Sequence, residues 1–180
     1  MELSFSKIDS KFADECLKIV GASIFLALAS QISFIIPYAA GFVTLQMAAL
    51  FLIGFALGPI NAALSVLLYL GEGLLGLPVF ALGQAGMATL LGPKGGYYVG
   101  FCVSAFISGF ARKEHSLLRL ILTFATANAA TYLIGLAWLG LFISKDQVLM
   151  LGLYPFIIAD VLKIASVTSL IKGYYCIRAP

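Results

Sequence analysis

Two ionisable residues sit where a polar ligand would need them and where a bilayer would resist them. In LYPFIIADVLKIASVTSLI, Asp160 and Lys163 interrupt an apolar run. Their i, i+3 spacing puts both on one helix face, about one turn apart. Charged groups inside a span are costly and mark ligand or ion sites by default. The competing reading is a structural ion pair that neutralises itself, but apolar residues could replace such a pair with little loss of stability. The pair also lies toward the outer end of its span, within reach of a ligand arriving from water. A lysine ammonium partners a carboxylate. An aspartate accepts hydrogen bonds from N–H groups such as those of a cyclic urea or an amide. A small molecule with an acid at one end and N–H donors at the other suits both residues.

Further polar residues gather at the same level. Glu72 in LYLGEGLLG is a carboxylate near the outer end of a span; it faces the cavity or reaches the outer interface. Asn128 lies mid-span in TANAATYLIGLAWL and either meets a ligand or bridges helices. Gln46, near the outer end of another span, and Gln84, in a Gly-rich loop, complete the substrate-binding candidates. Tyr69, Tyr97, Tyr98 and Trp138 either line an apolar cavity or anchor span ends at the interface. The sequence has no GxxxxGK[ST] loop for ATP and no HExxH, and its single histidine, His115, falls in a basic loop. Cys16, Cys102 and Cys176 are scattered, without CxxC spacing, so neither a disulfide framework nor a metal site is expected. No catalytic constellation and no cofactor is read, and uphill movement of a ligand would need energy from a partner or an ion gradient. An intramembrane enzyme using Asp160 or Glu72, and a purely structural subunit, are the rival classes.

The elements that must position these residues are helical spans. Of 180 residues 62% are apolar and 11% charged, and the mean hydropathy is +1.06. Too little polar surface remains to coat a soluble core. The long unbroken apolar runs also argue against a transmembrane β-barrel, whose strands alternate. The expected fold is an all-α membrane protein, one domain over residues 1–180, built as a compact bundle of six transmembrane helices at about 17–36, 42–57, 61–77, 94–110, 117–142 and 148–171. Pro37, Pro59, Pro78 and Pro93 punctuate the runs.

The charge balance of +3 is too mild for nucleic-acid binding, but its distribution sets orientation. Lys7, Lys11, Lys18, Arg112, Lys113, Arg119, Lys172 and Arg178 fall on the side of the termini, and Lys94 and Lys145 on the other. Both termini are therefore expected in the cytoplasm. The mixed-charge start MELSFSKIDSKFADE does not resemble a signal peptide. Nine of the 18 glycines lie between Gly71 and Gly100, and LGLPVFALGQAGMATLLGPKGG reads as a long outer loop of the kind that serves as a lid or binding loop. Gly92, Gly96, Gly100, Ser104 and Ser108 recur every four residues, a smooth stripe suited to close helix contact inside the bundle or, less simply, with a partner.

With these residues in place, the chain resembles the BioY-type S components, the biotin-binding membrane subunits of energy-coupling-factor (ECF) transporters. The resemblance runs from Ala22 to about Lys172. It is carried by LGLPVF at 75–80, LLGPKGGYYVGF at 90–101, Thr44-Leu45-Gln46, Leu57-Gly58-Pro59, and Pro155-Phe156 followed by Asp160-Val161-Leu162-Lys163. It implies a six-helix protein of the cell membrane that captures one biotin near the outer surface, with Asp160 and Lys163 as contacts. It implies no ATPase of its own, and partners in a transmembrane coupling subunit and two ABC-type ATPases. Docking through small residues on the first helix would fall on Ser23 and Ala27, as Ser-xxx-Ala in place of the family's AxxxA. The sequence departs from the family at Ile158-Ala159, where a Pro-Gly break is usual, so the last helix is expected to run unbroken there. It departs again at Gln84, where many members carry a loop arginine. That second cation is lost unless Lys94 reaches in, and a related carboxylate vitamin such as lipoate is the alternative cargo.

Overall fold

The computed structural model describes residues 2–35 and 42–178, with side chains for 11–34 and 43–177. The lengths of the helices follow from where proline and glycine fall. Helix α1 (Glu2–Gln31) is followed by a short antiparallel pair, β1 (Ser33–Ile35) and β2 (Phe42–Thr44), with Phe34 opposite Val43. Helices α2 (Gln46–Leu57) and α3 (Pro59–Leu74) meet at Gly58, whose φ of +83° lets the chain turn sharply between them. Pro59 is the first residue of α3, where a missing N–H costs nothing.

The Gly-rich loop then carries a 3-10 turn at Ala81–Gly83 and the short α4 (Met87–Leu91). Helix α5 (Gly95–Ser108) runs into a second 3-10 turn at Gly109–Lys113. Helix α6 (Leu117–Leu139), α7 (Lys145–Gly152) and α8 (Tyr154–Arg178) complete the chain.

Several expected boundaries move. The first helix stops at Gln31 and the second starts at Gln46, because residues 33–35 and 42–44 pair as strands. The stop expected at Pro37 lies outside the described residues, as do the side chains of Lys7 and Arg178 in the charge count. The third helix begins two residues early on Pro59 and ends at Leu74, close to the positive-φ Gly76. The last expected span is divided: the chain breaks at Leu153 (φ −126°, ψ −60°), just ahead of Pro155, which disfavours helix before it. Past that break α8 runs without interruption through Ile158, Ala159 and Asp160, as the missing Pro-Gly predicted.

The small-residue stripe packs inside the bundle. A Cβ at Gly96 would stand 2.9 Å from the Ile134 carbonyl oxygen, and one at Gly100 2.8 Å from Thr131 Cα, so α5 and α6 are in backbone contact. Ser104 and Ser108 are fully buried. The core beneath is aromatic and aliphatic, with Phe51 stacked on Phe124 at 4.8 Å and with Leu26, Leu50, Val66 and Leu120 fully buried.

The outside of the bundle is equally apolar. Leu28, Leu67, Leu133, Ile158 and Leu162 are all exposed. Among the described residues, Leu117–Leu139 and Lys145–Ile177 are long and apolar enough to cross a membrane. Only 11% of the most apolar window in the latter is buried, so this stretch is no soluble core helix.

Candidate ligand-binding site

One end of the bundle opens into a cavity with about 720 Å³ of empty space, part of it open to solvent. Helical periodicity explains its lining. Helix α8 contributes Phe156, Asp160 and Lys163 at i, i+4 and i+7, and α6 contributes Asn128, Thr131 and Tyr132 at i, i+3 and i+4. Tyr97, Tyr98 and Phe101 of α5 form an aromatic wall. Thr44, Gln46 and Met47 enter from the start of α2, Ala81 from the Gly-rich loop, and Lys94 from the residue before α5.

Asp160 is the hub. It is only 6% exposed. Its Oδ1 accepts from Lys163 Nζ at 2.9 Å, and its Oδ2 accepts from Asn128 Nδ2 at 3.2 Å and from the Tyr132 hydroxyl. Burying a carboxylate without such donors would be costly. With Lys94 the cavity holds two ammonium groups and one carboxylate, a net positive lining that favours an anion. Lys94 stands outside the helices, and partial burial lowers its ammonium below the ordinary lysine value because desolvation penalises the charged form.

A second polar chain connects the cavity to its roof. Gln46 Nε2 donates to the Tyr69 hydroxyl at 3.0 Å, and that hydroxyl donates to the Val79 carbonyl at 3.1 Å. Ser30 also donates to Val79 O. Gln31 Nε2 donates to Phe80 O at 3.0 Å, while its Oε1 accepts from the Gly83 amide at 3.0 Å. The Gly-rich loop is thus tied to the end of α1 immediately above the ligand space.

Of the six residues expected to bind substrate, the structure brings together Asp160, Lys163, Asn128 and Gln46. Glu72 and Gln84 do not reach the lining. The Glu72 carboxylate accepts from Ser23 Oγ at 2.7 Å and ties α3 to α1. Gln84 bridges Phe80 through its backbone, closing the 3-10 turn. Ser23 is fully buried in that contact with Glu72, and Ala27 beside it is half-buried.

Asn128 bridges α6 to α8 and also lines the cavity. Tyr97 and Tyr98 line the cavity, whereas Tyr69 is wholly buried and Trp138 donates its indole N–H to Gly92 O at 3.0 Å. Tyr132 was not foreseen, although its place four residues after Asn128 marks the same face. Lys94 supplies the second cation that the loop lacks at Gln84. The three cysteines are free, and no metal-ligand cluster occurs among the described residues.

The bundle has an apolar exterior and, at one end, a charged, aromatic-walled cavity of a kind that suits a small polar ligand. Its fold matches a solved structure, the S-component for biotin from an ECF-type ABC transporter, with a TM-score of 0.80 and 23% identity over 92% of this chain and 93% of that one. The BioY family model matches residues 4–178, and the chain belongs to the BioY family.

The biotin transporter BioY2 of Lactococcus lactis subsp. cremoris is 34% identical over 89% of this chain and 87% of its own. The biotin transporter BioY of Thermotoga maritima is 32% identical over 82% of this chain and 89% of its own. A probable biotin transporter BioY of Pyrococcus horikoshii is 39% identical over 68% of this chain and 74% of its own. The family is one of transporters and not of enzymes, which removes the intramembrane enzyme from consideration.

Proposed function

We propose that the chain is the substrate-binding membrane subunit for biotin uptake, capturing biotin from the outer side of the cell membrane. The observation that carries this reading is Asp160, held by three donors with an acceptor site to spare, beside Lys163 on the wall of a cavity that also takes in Lys94. Biotin has a ureido ring with two N–H donors and a valerate carboxylate. The carboxylate is met by an ammonium of Lys163 or Lys94, and the ureido N–H groups by carboxylate and amide oxygens such as those of Asp160 and Gln46. Tyr97, Tyr98 and Phe101 offer the apolar wall that the bicyclic ring and alkyl chain need. Lys94 offsets the loss of the loop arginine toward the carboxylate, and the acceptor oxygens of Asp160 and Gln46 favour biotin over lipoate, which has the acid but no ureido group.

In this reading α1, α2, α3, α5, α6 and α8 are the six spans. Both termini lie in the cytoplasm, as the excess of Lys and Arg on that side requires. The chain has no ATP-binding loop, so release inward depends on an ECF coupling subunit and two ABC-type ATPases. Calorimetric titration of the purified chain with biotin, desthiobiotin and lipoate tests the cargo. Biotin and desthiobiotin, which share the ureido N–H groups and the acid, bind more tightly than lipoate. Equal or tighter binding of lipoate would reassign the cargo.

A further inference from the structure

A second cavity lies at the opposite end of the bundle and takes no part in the reading above. Helix α2 starts at Gln46 in the ligand cavity and ends at Leu57 beside the second one; α5 likewise starts past Lys94 and runs out at Gly109 and Phe110. The second cavity offers about 770 Å³ and is open to solvent. Its walls carry Arg112, Lys113, Asn61 and Glu15, leaving one positive charge in excess.

Close backbone packing builds it. A Cβ at Gly109 would overlap Pro59 and Gly58, so the end of α5 rests directly on the α2–α3 turn. This contact brings the Arg112-Lys113 pair up to the first turn of α3, whose unpaired amides favour an anion. Arg112 is fixed there by donating from Nη1 to the Leu57 carbonyl at 3.1 Å. The rim is apolar, with Ile60 69% and Phe110 56% exposed.

Cations and amides over a pocket whose rim is two bare hydrophobic side chains match an amphiphile rather than a free ion. Basic pockets between helices on the cytoplasmic side of a membrane protein recognise anionic headgroups. We infer that this cavity binds an anionic phospholipid, its phosphate held by Arg112, Lys113 and the start of α3, its acyl chain lying on Ile60 and Phe110. The inference rests on the membrane placement of the bundle, not on the identity of the cargo.

Native mass spectrometry of the full chain in detergent, titrated with phosphatidylglycerol or phosphatidylcholine, tests it without any use of biotin. Phosphatidylglycerol is retained preferentially. The double variant Arg112→Gln/Lys113→Gln loses about twenty-five-fold in retention, since each basic residue near a lipid surface contributes on the order of fivefold. Because Arg112 also braces the Leu57 carbonyl, Lys113→Gln alone is measured too and loses about fivefold. Arg119→Gln removes a charge that is 73% exposed and paired with Glu114, and retains lipid like the parent. Equal retention of the two lipids overturns the inference, as does an equal loss in Arg119→Gln. Displacement of the lipid by inorganic phosphate or glycerol phosphate would assign the pocket to a small soluble anion instead. Variants that retain lipid fully but lose a protein partner would assign it to that partner.

Discussion

Tyr132→Phe removes one oxygen and leaves the rest of the site in place. The Tyr132 ring packs edge-on against Tyr97 at 6.3 Å, a contact that phenylalanine preserves. What disappears is the hydroxyl donor to Asp160 Oδ2. A hydrogen bond to a charged group is worth about 1.5–3 kcal/mol net. Asn128 Nδ2 still donates to the same oxygen at 3.2 Å and Lys163 still holds the other, so the lower figure applies.

At about 2–4 °C per kcal/mol for a chain of this length, a loss of about 1.5 kcal/mol lowers the melting temperature by roughly 3–6 °C. Scanning calorimetry in detergent reads it. Tyr97→Phe is the internal comparison. Its hydroxyl donates at 2.8 Å to the neutral Gly152 carbonyl, so its removal costs about 1 kcal/mol and a smaller shift. Biotin affinity falls about tenfold in Tyr132→Phe, because a less restrained Asp160 carboxylate is less well aimed. If Tyr132→Phe melts with the parent and binds biotin as the parent does, Asp160 is not organised by Tyr132 and the account of the hub is wrong.

Close packing and the roof of the cavity give two further expectations. Gly100→Ala places a Cβ 2.8 Å from Thr131 Cα and 3.0 Å from Thr131 O, backbone atoms that yield only if α5 and α6 separate. It costs about 1–3 kcal/mol, whereas Gly71→Ala in α3, with nothing within 4 Å, is neutral or stabilising in the same melting experiment. Gln31→Ala frees the Phe80 carbonyl and the Gly83 amide from α1, and hydrogen exchange at Gly83 accelerates by about five- to tenfold while α6 amides are unaffected.

The legible part of this protein was the part written in local pattern. Asp160 and Lys163 stand out because charge in an apolar run has few explanations, and their spacing fixes a shared face wherever the helix goes. The Gly/Ser stripe announced a close helix contact for the same reason. What spacing does not encode is which face turns inward. Glu72 and Gln46 were equal candidates by depth, yet the rotation of α3 points Glu72 at Ser23 and leaves Tyr69 to meet Gln46. Lys94 falls where the Gly-rich loop passes into the fourth span, a place that local pattern does not tie to the cavity. It reaches the cavity because Gly95 and Gly96 let the start of α5 pack on Trp138. Tyr132 sits inside α6 among apolar neighbours, where nothing in the local pattern sets a tyrosine apart from a core aromatic residue. The break at Leu153 needed the pairing of α7 with α8 as separate elements, although Pro155 was its local signal.

The central claim is that Asp160 and Lys163 hold biotin. Calorimetric titration of biotin into the parent chain, Asp160→Asn and Lys163→Ala, each checked for folding by its circular dichroism, tests it directly. The account predicts tight binding by the parent and a loss of more than about tenfold, or ~1.4 kcal/mol, in each variant. A folded parent that ignores biotin, or variants that bind it as the parent does, would contradict it.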